Sequence, residues 1–218
     1  MRLIDLSGQI FDGQQGHLQT VVRDFKTIDP VKNADPSQTR TFAVKVMTLS
    51  DHTGTHVDAL AHFMPDAETI DAMPLDKFCG EAIVADFSAE PGSGEELTME
   101  AFDRLMKLKN KTLRAGTIIL FLLNAQDGRP VYSGISGNVA RRLADAGIKL
   151  VGTNQGSIDW SSNRERPAHV TLLGKGIPIV EGLLNLDKVA KDPFTFFGLP
   201  LNIRGGTGSP IRAAALID

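Results

Sequence analysis

Four residues able to bind a metal or move a proton, His52, His56, Asp58 and His62, lie in the segment Asp51-His-Thr-Gly-Thr-His-Val-Asp-Ala-Leu-Ala-His-Phe63. Three of the chain's five histidines are here. Neutral imidazole and ionised carboxylate are ligands that zinc and manganese accept. Imidazole is also the side chain that exchanges a proton near neutral pH. The segment can therefore hold a divalent metal, carry a general acid/base, or do both.

The four positions share parity, so an extended segment would point all of them to one face. On a helix His52 and His56 would be neighbours, with Asp58 and His62 far around the cylinder. A third geometry has an extended or turning segment that enters a helix at Asp58. Gly54 suits that geometry, because backbone crowded around a metal often needs torsions only glycine tolerates. The pattern is not the helical H-E-x-x-H of zinc proteases.

Elsewhere the chemistry is sparser. His17 is isolated in a polar stretch and reads as an ordinary surface residue. His169 stands alone in Arg166-Pro-Ala-His-Val-Thr-Leu-Leu173. Glu181 closes Ile177-Pro-Ile-Val-Glu181, and a carboxylate there is costly to bury unless paired or metal-bound. Asn154, Ser157 and Asp159 either orient a ligand histidine or form a polar turn at a strand end. Phe63, Trp160, Phe194, Phe196 and Phe197 read as core rather than as a substrate platform, and Cys79 as inert. The Gly205-Gly-Thr-Gly208 run lacks the strand-to-helix context of a phosphate loop.

The elements that must position these residues follow from pattern. Leu3–Leu6 reads as a first strand, followed by residues 7–38, an extended loop or arm with weak periodicity that is expected to be functional or packed on a neighbour. Thr41–Leu49 alternates and is β-branched, so a strand should run into the histidine cluster. Ala82–Phe87, Ile148–Val151, Ile177–Glu181, Phe194–Leu201 and Ile211–Ile217 are further strands. Gly116–Leu123 is nearly continuous apolar sequence, as in a strand covered on both faces. Thr98 can cap a helix to about Leu108, and Ser136 one through Ala146 that Gly147 ends. Mixed β-β and β-α-β neighbours predict one α/β domain over 1–218, a mixed β-sheet with packed helices.

Composition narrows the function classes. The 218 residues carry 23 basic and 26 acidic side chains, a net charge of -3 without a basic block. Nucleic acid is thereby excluded as an expected partner, since a basic patch would be needed to neutralise phosphates. No apolar run reaches the roughly 20 residues that span a bilayer. One cysteine permits no internal disulfide, so a cytoplasmic setting is expected.

The segment His52–His62 resembles the signature of the cyclase family, metal-dependent hydrolases that include bacterial kynurenine formamidases and isatin hydrolase-like enzymes. Ile4-Asp-Leu-Ser7 is similar to that family's opening strand, and Val151–Asp159 to its G-x-D-x-x-S-x-D segment. His169 with Ile179–Leu186 is similar to its H…I-x-E-x-L-x-N-L segment, and Gly208–Leu216 to its closing strand. The resemblance implies the swivelling β/β/α fold and a role for each residue. His52, His56 and Asp58 would bind a first metal. Asp58 would bridge to a second, held also by His169 and Glu181, and His62 would be the acid/base rather than a ligand. Zinc or manganese, as one ion or two, would lower the pKa of a water from about 15.7 to about 7 for attack on a carbonyl.

The implied activity is hydrolysis of a small amide or cyclic amide of the arylformamide or isatin type. A lactone hydrolase on the same site and a non-catalytic metal-binding protein are the alternatives. Four departures bear on the substrate, one being that Phe11–Gln19 lacks the family's usual proline-and-glycine turn. The single tryptophan is Trp160, whereas the kynurenine formamidases carry one near the N-terminus. Asn154 stands where an aspartate is common, and Asn124-Ala-Gln-Asp127 replaces an Arg-Thr-Gly stretch. The 7–38 arm lacks a core of its own and is expected to cross onto a partner subunit, in a homodimer or homotetramer.

Overall fold

The computed structural model describes residues 1–16, 18–31, 40–92, 94–124, 129, 131–191 and 193–217. His17, the end of the 7–38 arm and Ala125–Asp127 lie outside the described residues. The strands are β1 (Arg2–Asp5), β2 (Val21–Val31), β3 (Arg40–Thr48), β4 (His56–Asp58), β5 (Cys79–Asp86), β6 (Glu96–Leu97), β7 (Ile118–Leu122), β8 (Gly134–Ile135), β9 (Leu150–Thr153), β10 (Ile179–Glu181), β11 (Phe194–Phe197), β12 (Gly208–Pro210) and β13 (Ala214–Ile217). Three helices, α1 (Met99–Leu108), α2 (Gly137–Asp145) and α3 (Pro167–Gly174), are interleaved with them.

Nine strands form one mixed sheet in the order β1-β13-β11-β5-β7-β9-β10-β4-β12. The four inner strands β5, β7, β9 and β10 run parallel, and antiparallel strands extend the sheet on both sides. All five residues of β7 are buried, as its unbroken apolar run requires of a strand covered on both faces. Phe121 on β7 lies 6.1 Å from Phe102 of α1 and 6.2 Å from Phe87, centroid to centroid, which ties helix to sheet.

The two helices expected from caps form where expected. Thr98 Oγ1 accepts from Ala101 N and Ser136 Oγ from Val139 N. Gly147, at φ +71°, ends the second in the left-handed region glycine tolerates. No described helix is long and apolar enough to cross a membrane.

Two elements differ from expectation, and one selects among geometries the sequence left open. Residues 21–31, inside the stretch read as loop or arm, are a strand paired antiparallel with β3. Register shifts between Phe25 and Ile28 and between Ile28 and Val31 break the period-2 alternation that would have revealed it. Residues 56–58 form a three-residue strand, and 60–62 a single 3₁₀ turn, so the segment is extended first and helical after Asp58. His169 sits on α3, a short helix without a polar face. Its first free N–H groups, those of Ala168 and His169, are capped by Asp159 from the preceding loop instead of by the residue before the helix.

Candidate metal centre

The sheet register assembles the site. His56 and Asp58, two apart on β4, face the same side, and Glu181 on β10 pairs directly opposite His56. On the other flank Gly208 of β12 pairs opposite Asp58. The turn before β4 delivers His52, the 3₁₀ turn after it delivers His62, and the N-terminal turn of α3 delivers His169. All six site residues read from sequence therefore meet, although Glu181 and His169 are more than a hundred positions from the cluster.

Asp58 is the hub. Its Oδ1 lies 2.7 Å from His52 Nδ1 and 3.5 Å from His56 Nε2, and its Oδ2 lies 3.4 Å from His169 Nε2. Glu181 reaches His169 Nε2 at 3.2 Å and His56 Nε2 at 3.6 Å, and is itself anchored by Ile158 N at 2.7 Å. Ligand atoms of His52, His56 and Asp58 lie within 4.8 Å of one another, and so do those of Asp58, His62 and His169. Asp58 thus belongs to two three-residue groups. Its buried Oδ2 has no hydrogen-bond partner among the described residues. A carboxylate oxygen left that way is costly unless a cation balances it. The donor set of imidazoles and carboxylates fits a divalent metal.

Electrostatics follow from burial and this crowding. Burial opposes ionisation of Asp58, but the His169, His52 and His56 contacts hold its carboxyl well below the usual range. For His62, burial first and then repulsion from His52, His169 and His56 outweigh Asp58 and lower the imidazole to about 4. It is neutral at pH 7. For His169, burial is outweighed by the hydrogen bond to Asp159 and by the nearby Asp58 and Glu181 carboxylates, and the imidazole is pushed up to about 11 from 6.5.

A pH dependence follows for the chain without metal. An imidazolium among three carboxylates stabilises the fold fully below pH 6.5, and that contribution is lost as pH rises through about 11. The chelated protein is expected to show a urea midpoint that falls through the alkaline range. Metal affinity should rise over the same range, because ligation displaces that proton. Urea melts with and without chelator at several pH values check both, and a flat chelated series would contradict the assignment.

Supporting residues divide clearly. Asp159 is buried and accepts from His169 Nδ1 at 2.6 Å, so it orients that ring. Asn154 accepts from Leu123 N at 2.8 Å and ties β7 to β9 instead of joining the site. Ser157, half-buried in the same turn, makes no bond to the cluster among the described residues. Phe194 and Phe196 are core as expected, and Phe197 and Trp160 are half-buried. Phe63 departs from a pure core role. It is half-buried and stacked on His169, with centroids 4.7 Å apart and planes at 25°.

The sequence reading missed Asp51, Thr207 and Gly208. Thr207 Oγ1 lies 3.0 Å from His52 Nε2, and both its hydroxyl and its amide bond Asp51 Oδ2. A Cβ at Gly208 would fall 2.7 Å from His52 Cε1 and 2.9 Å from Val57 O. Nothing in a Gly-Gly-Thr-Gly run distinguishes a flexible loop from a strand stripped of side chains to admit an imidazole. Gly208→Ala is expected to lower stability by about 1–3 kcal/mol through overpacking, read as a lower urea midpoint. An unchanged midpoint would show that His52 can move aside.

The fold and cluster define a mixed α/β protein with a candidate divalent-metal centre on adjoining strand ends. The chain belongs to the cyclase family, whose sequence profile matches residues 4–160. It is 35% identical over 172 residues to a kynurenine formamidase of Salinibacter ruber, covering 77% of this chain and 76% of that one. A kynurenine formamidase of Bacillus cereus is 31% identical over 171 residues, covering 77% of each. Among solved structures, isatin hydrolase A from Labrenzia aggregata, bound to benzyl benzoate, superposes with a TM-score of 0.78 at 25% identity. That match covers 98% of this chain and 93% of that one.

Proposed function

We propose that the chain is a metal-dependent amidohydrolase that cleaves the C–N bond of a small arylformamide-like amide or isatin-like cyclic amide. The observation that carries this reading is the convergence of His52, His56 and His169 on buried Asp58, with Glu181 against two of those rings. Similarity to a formamidase and to an isatin hydrolase supports the same bond type.

In this reading His52, His56 and Asp58 would hold one zinc or manganese ion, and Asp58, His169 and Glu181 would hold a second where two are bound. A bound ion would acidify a water molecule and polarise the substrate carbonyl. The remaining work belongs to side chains. Half-buried His62 takes the proton of the attacking water and returns it to the departing nitrogen. Asp159 and the stacked Phe63 keep the His169 ring in place.

We also read the β2–β3 ribbon as the arm of a homodimer or homotetramer. Among the described residues neither strand pairs with the main sheet. A lone two-stranded ribbon is marginally stable, and Val44, Val46 and Met47 on it are exposed, Met47 by 59%. Solution scattering tests this, and a monomer would refute it. A single cysteine and the absence of a basic block suit a small-molecule enzyme of the cytoplasm.

The functional test is a screen of the metal-loaded protein against formylated anilines, cyclic amides and lactones. Chelator-sensitive hydrolysis of a formanilide or cyclic amide is expected. Turnover of lactones alone, or turnover insensitive to chelator, would overturn the proposal.

A further inference from the structure

We propose that Asp51 and Thr207 form a relay that fixes the tautomer of His52, so that His52 presents Nδ1 to the metal while His56 and His169 present Nε2. This inference rests on the metal reading above.

The argument is a count of hydrogens. His56 Nδ1 lies 2.9 Å from Gly54 O, which can only accept, so its proton is on Nδ1 and its Nε2 lone pair faces the cluster. His169 is set the same way by the Asp159 carboxylate on its Nδ1. His52 is reversed. Its Nε2 faces Thr207 Oγ1 at 3.0 Å, and Thr207 Oγ1 is 2.9 Å from Asp51 Oδ2.

A threonine hydroxyl has one hydrogen, and Asp51 as a carboxylate can only accept. The Thr207 hydrogen is therefore committed to Asp51, and its oxygen offers a lone pair to His52. Two lone pairs 3.0 Å apart repel, so Nε2 carries the proton. His52 Nδ1 faces Asp58 Oδ1 at 2.7 Å, on the side where the other ligands converge; without an ion a proton must bridge that pair, and a bound ion would take its place and receive the Nδ1 lone pair. Asp51 and Thr207 are 156 positions apart in the chain. Gly208, next to Thr207, leaves the space in which the ring is held.

Thr207 and Asp51 are positioning residues, and the test reads tautomer and affinity separately from activity. In zinc-loaded protein labelled with ¹⁵N-histidine, two-bond ¹H–¹⁵N spectra should show one ring ligated through Nδ1 and protonated at Nε2, with the others reversed. Thr207→Val should weaken zinc binding by about 10–100-fold in competition with a chromophoric chelator. It should also perturb the Nδ1-ligated ring, and Thr207→Ser should restore both. All zinc-bound rings ligated through Nε2, or a Thr207→Val affinity equal to wild type, would overturn the relay. The spectrum of the unaltered protein decides even if Thr207→Val fails to fold. Wild-type protein that takes up no zinc would overturn the metal reading itself and the relay with it, a failure distinct from zinc bound with the other tautomer.

Discussion

His62→Ala is expected to lower kcat on an amide substrate by about 10²–10⁴-fold, the range a positioned acid/base supplies, while the metal content of the protein stays the same. Two placements of His62 compete. Its ring nitrogen lies in a three-residue group with Asp58 and His169, which would suit a ligand. Against that, Asp58, His169 and Glu181 already converge without it, and His62 remains half-buried at the end of a 3₁₀ turn. Its ring lies alongside His52, with centroids 4.1 Å apart. A group that must meet substrate needs that access, and a closed ligand does not. Metal analysis of the purified variant beside its turnover separates the two. Loss of the metal together with activity would make His62 a ligand and remove the proton carrier from the proposed mechanism.

Asp58→Asn should abolish the stabilisation that metal confers. An ion that binds only the folded chain adds about 4 kcal/mol when present at a thousand times its Kd, so wild-type protein should melt well above its chelated form. Asp58 contacts His52, His56 and His169 at once and belongs to both ligand groups, so its loss damages every ion position together. The decisive quantity is the difference in Tm with and without metal. The chelated variant's own Tm also reflects removal of a buried charge next to three imidazoles, which acts in both directions. A variant that keeps the full metal-induced shift would show that Asp58 is not the hub.

Much of this centre was legible from residue types. Three histidines and an aspartate so close together announce metal or proton chemistry wherever they fold, because few other roles use imidazole so densely. Gly54 was read as needing unusual torsions, and its φ is +66°. Thr98, Ser136 and Gly147 marked helix ends because their partners lie within three or four residues, and local hydrogen bonding is written locally. β7 announced its burial by having no polar face at all. The ribbon strand β2 was not legible, because its bulges erase alternation. Helix α3 was missed because its cap, Asp159, lies in the preceding loop and belongs equally to His169.

By itself the sequence determined which side chains could ligate, that the sheet would be mixed, and where the inner strands and two of the helices run. Those properties depend on residue type and short-range periodicity, which any stretch of chain displays on its own. Tertiary structure alone decided how the ligands are divided and oriented. The β4–β10 register puts Glu181 opposite His56, and the β4–β12 register puts Gly208 opposite Asp58. Thr207 reaches His52 because β12 pairs with β4. Cross-strand register is set by packing between segments distant in the chain, and no local pattern encodes it. It is this register that turns a run of histidines into a shared carboxylate with two groups of ligands around it.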